Sequence, residues 1–240
     1  AVTQDSNYED IIYINSHRGS LEKSEAFIKG YVTFMDKASM LVARLVNPQP
    51  GERILDCCAA PGGKSMYMAT LMDNVGSLMS CDIHEHKIEL MNSNAERLGA
   101  SIVHTKVQDA TKLPDSWNSY FDRVLVDAPC SGLGILQKKL DMRWRKQESI
   151  LRELPPLQLA ILERAAMTVK EKGYLIYSTC TLNYKENEEV VEAFLQKHKE
   201  FSIIPVAEDF PLKSNSGMIT TYPPTDDMDG FFMVKMQRIS

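Results

Sequence analysis

From residue 53 onward the chain repeats one pattern: a short run rich in aliphatic residues, a turn, then a segment with helical spacing of its apolar side chains. Few architectures satisfy it. The aliphatic runs show little polar alternation, so each has to be covered on both sides, and the segments between them are what can cover it. Residues 53–59, 76–82, 101–107, 121–127 and 173–178 read as five buried strands. Residues 64–72, 86–98, 156–169 and 187–198 read as helices, with Gly99 stopping the second and acidic residues opening the last. Residues 201–204 and 230–236 are two further strand candidates. Upstream, apolar residues recur at helical spacing over 27–46, until Pro48, Pro50 and Gly51 end that helix. The expected fold class is α/β with a doubly wound, mostly parallel sheet. Residues 1–46 are expected as a small N-terminal appendage and residues 47–240 as the main domain.

Composition excludes several alternatives. Over 240 residues, 44% are hydrophobic and 25% charged, which is globular and neither disordered nor fibrous. No apolar run approaches the roughly 18 residues of a membrane-spanning helix. Asp5, Glu9 and Asp10 stand where a signal peptide would be basic and then apolar. The chain begins at Ala1 without an initiator Met, as a processed chain or a piece of a longer one does. A net charge of -5 is not that of a protein that coats nucleic acid, so any RNA binding has to come from a local site. The five cysteines (57, 58, 81, 130 and 180) are odd in number and lack a Cys-x-x-Cys pair. A disulfide framework is therefore not expected, and a cytoplasmic, reducing setting is. Cys81, His84 and His86 lie close in sequence but have no fourth ligand, so no metal site is expected.

In a doubly wound sheet, ligands bind beyond the carboxyl ends of the strands. That singles out 57–64, Asp82, Asp109, 127–130 and 178–180. The first turn, Asp56-Cys-Cys-Ala-Ala-Pro-Gly-Gly-Lys-Ser65, ends like a phosphate-binding loop, but position 58, where that loop needs its first glycine, is a cysteine. The Gly-x-Gly-x-x-Gly pattern of dinucleotide enzymes is absent too. Asp82 ends the second strand 19 residues after Gly63, a position suited to the hydroxyls of a ribose. Asp109, after the third strand, can accept from an exocyclic amine. A ribose acid and an adenine acid without a phosphate cradle point to S-adenosylmethionine. The cofactor-binding set is then Cys58, Ala59, Ala60, Pro61, Gly62, Gly63, Lys64, Asp82, Asp109 and Asp127. Each acid is also well placed to be an ordinary helix cap.

The fourth and fifth strands run into Asp127-Ala-Pro-Cys-Ser-Gly132 and Tyr177-Ser-Thr-Cys-Thr181. These strands are expected as neighbours, which would bring Cys130 and Cys180 to one cleft. Together with Ile54-Leu-Asp-Cys-Cys-Ala-Ala-Pro-Gly-Gly-Lys64, Asn187-Glu-Glu189 and Asp229-Gly-Phe-Phe232, these segments resemble the RNA 5-methylcytosine methyltransferases of the RsmB/Nop2/Sun family. The resemblance runs collinearly over about residues 27–240. It implies a Rossmann-like class I methyltransferase sheet with an antiparallel last strand. It also implies that Cys180 is the nucleophile, Cys130 assists release of the methylated RNA, and Asp127 and Lys64 complete the catalytic group. Spacing alone does not assign the two cysteines, and DNA enzymes of similar chemistry attack with the Pro-Cys cysteine. The chemistry accounts for a thiol: addition to carbon 6 of cytosine makes an enamine, whose carbon 5 can take a methyl group. Asp127 can bond the Watson–Crick edge and favour protonation of the ring nitrogen.

The target base has to leave its stack, so the expected partner is RNA with a single-stranded or flipped-out cytosine. Residues 138–146, with five basic residues and Trp144, suit phosphate contact and stacking, or equally form a solvated loop. The short tail after Phe232 resembles the bacterial ribosomal RNA branch more than the tRNA branch, while Thr33-Phe-Met-Asp36 departs from the Gln-Asp common in relatives. Bacterial relatives carry a helical, NusB-like RNA-binding region that these residues do not include; residues 1–46 are read as the remnant of a longer RNA-binding region. Competing readings are a tRNA 5-methylcytosine enzyme, a different methyl acceptor, and a non-catalytic RNA-binding or assembly factor. The last would carry a damaged cofactor loop or lack Cys180, and neither defect is present.

Overall fold

The computed structural model describes residues 1–138 and 149–239. β1 (Val2–Gln4) and β2 (Ile12–Ile14) pair as a separate antiparallel ribbon. Then come α1 (Glu25–Ile28), α2 (Lys37–Val46), β3 (Arg53–Asp56), α3 (Gly63–Leu71), β4 (Ser77–Asp82), α4 (Glu85–Leu98) and β5 (Val103–Val107). β6 (Phe121–Asp127), α5 (Ile150–Ala166), β7 (Val169–Thr179) and α6 (Glu188–Lys197) follow, and β8 (Phe201–Ile203), β9 (Met218–Thr220), α7 (Pro223–Asp226) and β10 (Phe232–Arg238) close the chain.

The main sheet has the order β5-β4-β3-β6-β7-β10-β8, with β9 also on β10. β3 to β7 are mutually parallel, and β10 runs antiparallel to β7. The expected fold class, antiparallel last strand included, is the one observed. Strand order reverses between β3 and β6, and the cleft opens beyond their carboxyl ends.

Successive residues of a strand point to opposite faces, and here both faces are dry. Leu55, Val124, Val126, Tyr177 and Val234 join Leu162, Val191 and Phe194 of α5 and α6 on one side. Ile54, Leu125, Ile176 and Met233 join Leu41, Val42, Val46, Met66 and Met68 of α2 and α3 on the other. The buried stripe of α2, with Ala38, Leu41, Val42 and Leu45, follows the i, i+3, i+4, i+7 spacing of an amphipathic helix.

Three boundaries differ most from the sequence reading. The helix expected over 27–46 is broken: α1 ends at Ile28 and α2 starts at Lys37. Gly30 has φ 75°, and a Cβ there would lie 1.8 Å from the Arg97 carbonyl oxygen, so the chain turns against the end of α4. Asp36 then caps α2 by accepting from Ala38 N–H at 2.9 Å. The helix expected from residue 156 begins at Ile150, with Pro155 and Pro156 inside it; burial of Gln158, Ile161, Leu162, Ala165 and Ala166 sustains it. β7 extends back to Val169 through Lys172 at φ 62°, and a register shift between Phe121 and Arg123 absorbs the irregularity.

Candidate active site

The turn after β3 is tied to both neighbouring strands. Cys57 N–H donates to Leu125 O at 2.9 Å and Ala59 N–H to Cys81 O at 2.7 Å. Gly62 closes the turn with φ 100°, donating to Ala59 O at 2.7 Å, and α3 begins at the next residue. Positive φ is what a glycine supplies at low cost, so the Pro-Gly-Gly segment launches Lys64 toward the end of β6.

Lys64 Nζ meets Asp127 Oδ2 at 2.7 Å, and Ser178 Oγ donates to Asp127 Oδ1 at 2.7 Å. Asp127 therefore has a donor on each oxygen and is oriented as an acceptor. Burial works against the Lys64 ammonium, but the Asp127 carboxylate holds it above its ordinary value. Lys64 Nζ also lies 5.2 Å from the centre of the Phe231 ring, which brings the Asp-Gly-Phe-Phe segment to the site.

β6 and β7 are neighbours in parallel register, with Asp127 opposite Ser178. Their continuations carry the two thiols, and Cys130 Sγ lies 3.2 Å from Cys180 Sγ. The pair is asymmetric. The hydrogen bond from Cys130 lowers the Cys180 thiol from its ordinary value, with Lys64 adding to this against burial and Asp127. The same bond and burial push Cys130 well up. Of the two, Cys180 is the one in which the thiolate form is favoured and Cys130 the one in which it is disfavoured. Gly134 N–H donates to Cys180 O at 3.0 Å, and Gly230 N–H donates to Gly134 O at 3.0 Å. A Cβ on Gly134 would lie 1.8 Å from Gly230 O, so the two backbones meet only because both residues are glycine.

A cavity of about 460 Å³ runs from the thiols to the ends of β4 and β5. Cys58, Ala60, Asp82, Asp109, Asp127, Cys130 and Cys180 line it, with Ile83, Leu157 and Ile161 as apolar walls. Ala59, Pro61, Gly62 and Gly63 shape the turn without lining the cavity, and Lys64 acts on it through Asp127. Asp82 accepts from His84 N–H at 3.0 Å, with Lys87 Nζ 3.6 Å away. Asp109 accepts from the Thr111 hydroxyl at 2.7 Å and its N–H at 2.9 Å, which holds its carboxyl below the usual range. Both acids thus cap their own turns and also face the cavity. Two acceptors beside apolar walls fit the hydroxyls and the amine of an adenosine.

Beneath the turn, Asp56 is fully buried; Ser65 donates to it at 2.7 Å and Ser80 to Ser65 at 2.8 Å. Burial pushes its carboxyl up to about 7. Of the basic segment, Lys138 is engaged by Asp36 and by Asp229 at 3.0 Å instead of standing free for phosphate. Trp144 and the other basic residues of 139–146 lie outside the described residues. Cys81 is buried in the core beside Cys57, while His84 and His86 are exposed, with ring centres 5.6 Å apart. Sequence reasoning missed Ser178 as a holder of Asp127 and Phe231 as the ring beneath Lys64, although each lies within a motif it had picked out.

A doubly wound sheet of this order, with a cleft at its switch point, is the Rossmann-like sheet of the class I methyltransferase fold. The chain belongs to the 16S rRNA methyltransferase RsmB/F family, whose model matches residues 43–237. It is 41% identical over 227 residues to the probable ribosomal RNA small subunit methyltransferase B of Bacillus subtilis, covering 92% of this chain and 51% of that protein. A solved structure described as PH0851 shares 32% identity with a TM-score of 0.93, covering 98% of this chain and 53% of that one. NSun6 from Pyrococcus horikoshii, solved with SFG, shares 31% identity with a TM-score of 0.84, covering 93% of this chain and 57% of that one. The chain spans about half the length of the curated relatives it matches. Among the described residues no helix is long and apolar enough to cross a membrane.

Proposed function

We propose that this chain methylates carbon 5 of a cytosine in small-subunit ribosomal RNA, in the cytoplasm, through a transient bond between Cys180 and carbon 6 of the base. The observation that carries this reading is the thiol pair at 3.2 Å, with Cys180 lowered and Cys130 raised, at the mouth of the cavity that Asp82 and Asp109 line. Bound S-adenosylmethionine supplies an electrophilic methyl group. Asp82 would hold its ribose, Asp109 its adenine amine, and the turn from Cys58 to Lys64 its remaining backbone contacts.

The chain's own groups account for the rest. The Cys180 thiolate adds to carbon 6 while the ring nitrogen takes a proton from water, and Asp127 accepts from the cytosine amine and from the new ring N–H. Lys64 and Ser178 hold Asp127 in the one orientation that meets that edge. Once carbon 5 is methylated its proton passes to water, the electron pair left behind re-forms the 5,6 double bond and breaks the carbon 6–sulfur bond, and Cys130, 3.2 Å from the departing Cys180 sulfur, hydrogen-bonds to it and so assists release. Residues 47–240 are the catalytic region in this reading, and residues 1–46 its lead-in.

The test is a transfer assay with the purified chain, methyl-labelled S-adenosylmethionine and unmodified small-subunit ribosomal RNA. Labelled 5-methylcytosine is expected. Label in any other nucleoside, or none despite normal cofactor binding and a longer chain supplied in parallel, overturns the reading.

A further inference from the structure

Cys130 sits on a loop, so something other than the sheet ladder has to fix its thiol. The peptide groups on either side of it are both held from behind. Pro129 O accepts from Gln158 Nε2 at 2.9 Å, and Ser131 N–H donates to Glu186 Oε2 at 2.8 Å. Gln158 Nε2 also donates to Glu186 Oε2 at 3.0 Å; both its partners are oxygens, which fixes the orientation of that amide. Glu186 Oε1 accepts from Asn183 Nδ2 at 2.9 Å. Glu186 is wholly buried. Three N–H donors on one carboxylate satisfy it.

The next residue does the equivalent for the other thiol. Asn187, also buried, accepts from Thr179 Oγ1 at 2.6 Å and donates Nδ2 to Thr181 O at 2.9 Å, the two residues flanking Cys180. Ser131 Oγ and Thr181 Oγ1 join the two segments at 2.8 Å. Tyr177 OH anchors the Glu186 carbonyl at 2.6 Å. Neither Glu186 nor Asn187 lines the cavity.

We infer that Glu186 and Asn187 form a two-residue clamp that sets the separation of the two thiols, Glu186 holding the Cys130 loop and Asn187 the end of β7 that bears Cys180. The inference rests on the two-cysteine chemistry proposed above. Both are positioning residues, and being adjacent in sequence they fix the two thiols to one rigid point at the start of α6. Loosening Glu186 displaces Cys130 and slows release; loosening Asn187 displaces Cys180 and slows addition.

Two readouts test this on the full 240-residue chain. The first needs neither RNA nor cofactor: diamide takes up the two thiol hydrogens as a disulfide forms, and the rate of the Cys130–Cys180 link, followed by peptide mass spectrometry, measures how often the sulfurs meet. The second is the fraction of protein held as an RNA adduct during turnover. Glu186→Gln keeps the shape but turns a donor toward donors. Losing one charge-assisted bond is expected to slow disulfide formation about tenfold and to raise the adduct fraction. Asn187→Asp removes the donor to Thr181 and is expected to slow the disulfide too, but to lower the adduct fraction. Gln158→Met tests the Cys130 side if Glu186→Gln does not fold, and the exposed Glu192→Gln is expected to change neither readout. Variants that bind cofactor normally and form the disulfide at the wild-type rate overturn the clamp. A wild-type chain that links its thiols readily yet never yields an adduct or 5-methylcytosine overturns the proposed function, while the disulfide rates still decide the clamp.

Discussion

At the cofactor end of the cleft the carboxylates are held by their own turns: Asp82 accepts from His84 and Asp109 from Thr111, each two residues on. At the reactive end the bonds span the fold. Lys64 reaches Asp127 across 63 residues, Ser178 reaches it across 51, and the two thiols meet across 50. A site made of local turns keeps its shape when the surrounding packing loosens. A site assembled from β3, β6, β7 and the chain beyond them exists only while all are in register. Cofactor binding and chemistry should therefore fail separately.

The largest expected effect falls at the reactive end. Cys180→Ser should reduce methyl transfer about 10⁴-fold or more, as loss of a covalent nucleophile does, with cofactor affinity unchanged. Transfer that survives in Cys180→Ser but not in Cys130→Ser would reverse the two roles. Next is Asp56, at the seam between the two ends. Its carboxyl rises from 3.8 to about 7 on folding, so the folded chain binds that proton more tightly than the unfolded one. Its contribution is full below about pH 4, falls as pH rises to about 7 and is then flat, a loss on the order of 4 kcal/mol. Asp56→Asn cannot ionise, so its melting temperature should gain on wild type across that window; a gap that does not widen with pH rejects the assignment.

A smaller effect is expected at the cofactor end. Asp82→Ala removes one charged acceptor worth about 1.5–3 kcal/mol, so the dissociation constant for S-adenosylmethionine should rise about 10- to 100-fold. Turnover at saturating cofactor should hardly change. A loss confined to turnover would break the contrast between the two ends. The smallest is a shift in pH dependence. Cys130→Ala deletes the bond that lowers Cys180, so alkylation of Cys180 by iodoacetamide should move to higher pH. The same variant should accumulate covalent RNA adduct, and an unshifted profile would mean that Lys64 alone sets the thiolate.

The same contrast explains what could be read in advance. The strand ends that carry Asp127, Cys130 and Cys180 were legible as one cleft because residues following an aliphatic run lie where a doubly wound sheet opens, and β6 and β7 were expected as neighbours. The partners that hold those residues were not. Glu186 was passed over because its meaning lies in Ser131 and Gln158, 55 and 28 residues away. The break between α1 and α2 was invisible because Gly30 meets a backbone at residue 97. Lys138 read either as a phosphate contact or as part of a solvated loop because the acids that engage it come from residues 36 and 229. Local pattern reveals where a group sits along the chain; what grips it depends on contacts that only the folded sheet creates.

The outer margins of that sheet have a practical consequence. One edge is β5, five residues long, with His104, Lys106 and Val107 turned to solvent. The other side of β10 is split between β8 and β9, three residues each. A strand from another molecule needs a longer, flatter rail than either to add itself in register. Both margins of the main sheet are therefore poor templates for edge-to-edge association with another molecule.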